Sequence, residues 1–119
     1  MNRYEDLKVW QRSVLLATEV YQATKDFPEE EKFGLTSQIK RSVVSIASNI
    51  AEGAGRSYSK EFGQFLSIAN GSCCELNTQL TIAKNLSFLV ESSFSLLREK
   101  ITEIQKMIYK LRQSLKANY

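Results

Sequence analysis

An all-α fold, an up-and-down (antiparallel) four-helix bundle, is predicted for this chain of 119 residues. Three features predict it. Apolar residues recur at steps of three and four in four separate segments, short connections carrying proline, glycine and serine join those segments, and no stretch alternates apolar with polar residues as a half-buried strand does. A chain of this length builds one core and has no room for a second module, so residues 1–119 are expected to form a single domain.

The first helix is predicted over about Tyr4 to Lys25, with Leu7, Trp10, Val14, Ala17 and Tyr21 on its inner face. Pro28 closes it and suits the first turn of the next helical segment, where Glu29, Glu30 and Glu31 favour the positive end of a helix dipole. Gly34 separates that short turn from the second helix, predicted over Leu35 to Glu52 and ended by Gly53-Ala54-Gly55 through left-handed glycine geometry. Ile39, Val43, Ile46 and Ile50 form its inner stripe, while Arg41, Ser45, Ser48 and Glu52 take the opposite face. Ser57 or Ser59 is the expected cap of the third helix, whose stripe is Phe62, Leu66, Ala69, Cys73, Leu76, Leu80 and Ala83 and whose end lies near Asn85. Ser92 or Ser93 opens the fourth, which carries the most regular stripe: Phe94, Leu97, Ile101, Ile104, Ile108, Leu111 and Leu115.

Composition removes most enzyme chemistry. There is no histidine, hence neither the commonest general base nor the commonest metal ligand. Cys73 lies on an inner stripe and reads as an inert thiol, and Cys74 beside it has no histidine to activate it. Glu52, Glu61 and Glu75 lack the Glu-x-x-His pairs of a di-iron bundle, and Glu52 and Glu75 read as ion-pair partners for Arg41, Arg56 or Lys60. Gly53-Ala54-Gly55-Arg56 starts like a dinucleotide loop but follows a helix and has Tyr58 where the third glycine belongs. No catalytic residue, metal or cofactor is therefore expected. No apolar run is long enough to span a membrane, and MNRYEDLK has no signal-peptide core, so a cytoplasmic location is expected.

What remains is charge and apolar surface. Sixteen basic against thirteen acidic residues give a net charge of +3, so any nucleic-acid binding has to come from local clusters or from several copies acting together. One cluster is Lys8, Arg12, Lys40, Arg41, Arg56 and Lys60, the candidate phosphate contacts, with Tyr58 a candidate for stacking on a base. A second follows Glu103, after which Lys106, Lys110, Arg112 and Lys116 meet no acid. For either cluster taken alone a solvated helix face is the simpler reading, and repetition of the cluster in an oligomer shifts the balance towards phosphate binding. Apolar residues outside the stripes, namely Val9, Leu15, Leu16 and Val20 on the first helix and Val44, Ala47, Ala51 and Ala54 on the second, point to self-association. Ala47, Ser48, Ala51, Ala54 and Gly71 are small enough for helices to approach closely there, within a subunit or between subunits.

The segments SIASNIAEGAGR (45–56) and FLSIANGS (65–72), with Asp6-Leu7, Trp10-Gln11 and Phe27-Pro28 ahead of them, are distinctive. From Tyr4 to Leu115 the chain resembles the small bacterial four-helix-bundle proteins encoded in intervening sequences of 23S ribosomal RNA genes. The resemblance implies a ring-like homo-oligomer, a pentamer in relatives of known structure, and an association with RNA or DNA. The family is also similar to the accessory variability determinant of diversity-generating retroelements, a basic bundle oligomer that assists a reverse transcriptase and binds nucleic acid. That similarity implies a scaffold role, and leaves open a protein-interaction adaptor that binds a protein partner and no polynucleotide.

Overall fold

Four antiparallel helices follow one another around a single core in a computed structural model that describes residues 3–119. A 3-10 turn over Tyr4–Asp6 leads into α1 (Lys8–Ala23), and a second over Glu29–Glu31 precedes α2 (Leu35–Ala54). Then come α3 (Ser59–Asn85) and α4 (Glu91–Lys116). Each helix packs on its neighbours in sequence and α1 closes the ring on α4, while the diagonal pairs bring no Cα atoms within 8 Å of each other among the described residues. The seam between α2 and α3 is the most extensive and that between α1 and α4 the least. The bundle measures 46 × 23 × 20 Å, its length set by α3 and α4.

The inner stripes of α2, α3 and α4 lie where the periodicity places them. Ile39, Val43, Ile46 and Ile50 are wholly buried, as are Leu66, Ala69, Cys73, Leu76, Leu80 and Ala83. Phe94, Leu97, Ile101, Ile104 and Ile108 complete the core, with Phe62, Leu111 and Leu115 half-buried at its edge.

α1 departs from expectation. The chain is extended at Leu7 (φ −76°, ψ 123°), so the helix starts at Lys8, and it ends at Ala23. Its buried residues are Val9, Ser13, Leu16 and Val20, whereas Val14 and Tyr21 are exposed and Leu7, Trp10 and Ala17 half-buried. Both stripes have helical spacing and differ by about 100° of rotation, one residue step. The aliphatic one fills the core without having to seat an indole and a phenol. Ser13 is buried with it because its Oγ donates to the Val9 carbonyl at 2.7 Å. Of the residues expected outside on α1, only Leu15 stays there.

α2 also departs from expectation, in two ways. It runs through Gly53 to Ala54 and stops without left-handed glycine, since Gly55 has φ −81°. Gly53 is needed for space: a β-carbon there would sit 2.6 Å from Phe65 Cβ and 2.9 Å from Phe62 Cδ1 on α3. Ser45 faces α3 instead of the outer side, its hydroxyl 2.9 Å from that of Ser72 and receiving a hydrogen bond from Asn49 Nδ2 at 2.9 Å. Neither downstream serine cap is used. α3 follows an extended Tyr58 and α4 an extended Val90, with no side-chain capping bond at either. At the head of α2, the Glu31 carboxylate accepts from the Leu35 amide at 3.2 Å, so the acidic turn serves the positive helix end as expected.

Candidate functional site

The six candidate phosphate contacts do not form one patch. Lys8 and Arg12 at the start of α1 share an end of the bundle with Arg56 and Lys60, whereas Lys40 and Arg41 stand near the head of α2 beside Tyr21. At 1.5 Å per residue, Arg56 is roughly 20 Å along α2 from Arg41.

Two of the six are engaged by the protein's own carboxylates. Arg12 pairs with Glu103 of α4. Arg56 pairs with Glu52 at 3.1 Å and Glu61 at 4.0 Å, and its guanidinium lies 4.8 Å from the Phe65 ring centroid. The turn between α2 and α3 thus has its cation answered internally. The expected pairing of Glu52 is found, but along one helical turn and with Arg56 alone, and Glu75 has no cation within 4.0 Å among the described residues. Lys40 lies over the Tyr21 ring at 4.9 Å, an arrangement that leaves its charge available. Lys8, Lys40, Arg41 and Lys60 have no carboxylate within 4.0 Å among the described residues.

The surface along the seam of α1 and α2 is largely apolar. Because the aliphatic stripe of α1 turns inward, Trp10, Val14, Ala17 and Tyr21 are left to line an open groove with Val44, Ala47, Ser48 and Ala51 of α2. The groove has a volume of about 570 Å³, and Tyr4 closes one end with its ring edge-on to Trp10 at 5.3 Å. Tyr21 and Val44 continue into a second hollow with Lys32, Phe33, Lys40 and Arg41. Phe33 there is 90% exposed, an exposure that no helical pattern could signal because it lies in the connection before α2. The small residues expected to permit close approach divide: Ala47, Ser48 and Ala51 line this groove, and Gly71 faces open space.

Thiol chemistry is not set up. Burial pushes the Cys73 pKa from 9.0 up to about 12, with the neighbouring Cys74 adding to the rise, so its thiol stays protonated at neutral pH. Cys74 is exposed, and the one hydrogen-bond partner of its sulfur among the described residues is an amide, Gln105 Nε2 at 3.6 Å. No group of three potential metal-binding side chains occurs among the described residues, and no helix there is long and apolar enough to cross a membrane.

The family model described as 23S rRNA-intervening sequence protein matches residues 5–110. No curated protein matches the chain. Among solved structures, a protein of unknown function from the S23 ribosomal protein family of Bacteroides thetaiotaomicron VPI-5482 has the same fold. It superimposes with a TM-score of 0.82 at 24% identity, over 88% of this chain and 95% of that one.

Proposed function

The chain belongs to the 23S rRNA-intervening sequence protein family, and we propose that it is a non-enzymatic, self-associating cytoplasmic bundle that holds RNA or DNA by phosphate contacts. The observation that carries this reading is the combination, on α1 and α2, of an open apolar groove with cations that no carboxylate neutralises, Lys40 and Arg41 at its continuation and Lys8 at the start of α1. A second copy seated in the groove would shelter Trp10, Val14 and Tyr21 from water, and a ring of copies, a pentamer by resemblance, would sum modest charges into a strong field. Docking of this kind reads the backbone and little of the base sequence. Lys8, Lys40, Arg41 and Lys60 are the phosphate contacts in this reading, and Arg12 and Arg56 join them only by leaving their carboxylates.

The test is fluorescence anisotropy with labelled RNA and duplex DNA across a salt series, on protein whose oligomeric state is fixed by light scattering, beside the Lys40→Ala, Arg41→Ala double variant. Affinity is expected to fall linearly in log salt, with the duplex slope shallower by about 1.8 in the variant if both cations meet phosphates. An oligomer that binds neither polymer at low salt would remove nucleic acid from the reading. The second reading, a protein-interaction scaffold, is favoured by Phe33 and the apolar groove, and predicts partner binding that salt leaves unchanged.

A further inference from the structure

The edge diagonally opposite the apolar groove has a different character. Between α3 and α4 lies a hollow of about 480 Å³ lined by Asn70, Gln105, Lys106, Tyr109, Lys110 and Arg112 among others. Gln105 Nε2 donates to Asn70 Oδ1 at 3.1 Å and to Cys74 Sγ at 3.6 Å, which uses both of its hydrogens. Gln105 Oε1, an acceptor, and Asn70 Nδ2, a donor, take no part in these bonds and have no side-chain partner among the described residues. Beside them the Tyr109 ring is 62% exposed. Lys106 and Lys110, one helical turn apart, have no carboxylate within 4.0 Å among the described residues, and no acid follows Glu103 in the chain. Arg112 Nε is shut off from water without a hydrogen-bond partner among the described residues.

The helix dipole does not account for these charges. Its pull on cations is confined to the last turn, which Lys116 occupies, whereas Lys106 and Lys110 stand well upstream of it. We propose that this hollow binds single-stranded nucleic acid, with one unpaired base stacked on Tyr109, its edge met by the Gln105–Asn70 amide pair, and neighbouring phosphates held by Lys106, Lys110 and Arg112. The unused amide acceptor of Gln105 and amide donor of Asn70 are the kinds of group a base edge pairs with, an exposed phenol gives the stacking surface, and the lysines, roughly 6 Å apart at Cβ, reach successive phosphates. A duplex cannot use the site, since its bases are already stacked and paired. The inference rests on the nucleic-acid reading but assigns the strand to another edge of the bundle than Lys40 and Arg41.

The experiment compares a fluorescein-labelled oligoadenylate with a duplex of the same length on the full chain, for wild type, Tyr109→Ala, Tyr109→Phe and the Lys106→Gln, Lys110→Gln double variant. Circular dichroism checks the fold, which these exposed positions leave intact. The expected result is a preference for the single strand and a roughly tenfold weaker Kd for Tyr109→Ala, with Tyr109→Phe equal to wild type. For the lysine variant the single-strand salt slope is expected to be shallower by about 1.4. Wild-type binding that neither Tyr109→Ala nor the lysine variant alters would overturn the assignment to this hollow while leaving nucleic-acid binding in place. Wild type that binds neither probe at low salt would overturn both.

Discussion

The two turns at the ends of α3 solve the same problem with opposite residues. The junction before α3 carries Gly53 in the last turn of α2 and Gly55 just after it, yet no residue there has a positive φ. The turn after it has no glycine, yet Ser87 adopts φ 65°, closing the helix through hydrogen bonds from Ser87 N to the Lys84 carbonyl at 3.0 Å and from Phe88 N to that of Ala83 at 2.9 Å. That is the left-handed helix stop expected of glycine, made by serine. It turns the chain so that Phe88 packs on Phe27, ring centroids 5.8 Å apart. The glycine at 53 therefore answers to the distance between α2 and α3, and the serine at 87 accepts backbone strain to place an aromatic contact.

Substitutions at three positions test this contrast. Gly53→Ala has the largest expected effect, a loss of about 2 kcal/mol in chemical denaturation, because its β-carbon meets the backbone-anchored Phe65 Cβ and helices must part. A neutral result would mean that the α2–α3 seam is looser than the packing implies. Ser87→Gly is expected to stabilise by roughly 1 kcal/mol, since glycine takes the left-handed region without β-carbon strain. Gly55→Ala is the smallest, a gain of about 0.5 kcal/mol: its φ is ordinary, and an added β-carbon would meet backbone oxygens no closer than 3.6 Å. Loss of stability there would show that the turn needs glycine's freedom after all. All three are compared at one protein concentration, because self-association would shift apparent stability.

Much of the bundle was legible because burial on a helix leaves a local trace. On α2, α3 and α4 most of the large aliphatic residues fall on one stripe each, and that stripe turned inward. α1 offers two, Leu7-Trp10-Val14-Ala17-Tyr21 and Val9-Leu16-Val20, and periodicity weighs them equally. The choice falls to the space between α2 and α4, which admits aliphatic side chains and leaves the large aromatics at the rim. Of the apolar face read outside the stripes, Val9, Leu16 and Val20 became core and Leu15 stayed exposed, while Val44, Ala47 and Ala51 of α2 line the open groove together with the α1 stripe expected inside.

The cationic candidates were legible as residue types and not as a surface. That Arg12 meets Glu103 depends on a contact between residues 91 positions apart, and no run of sequence announces it. The Gln105–Asn70 pair is of the same kind, joining amides on two helices. The acid-free stretch after Glu103 was visible, but the hollow it borders was not.

Helix number and order, the inner faces of three helices, and the absence of histidine chemistry were all determined by the sequence itself, because each depends on residue type or on spacing within about a turn or two. The inward face of α1, the role of Gly53, the left-handed Ser87 and the division of the cations into paired and unpaired were decided only when the helices packed. Apart from the local hydrogen bonds that close Ser87 and the Arg56–Glu52 pair along one helical turn, these are matters of distance between separate segments of the chain, and helical periodicity carries no information about that distance.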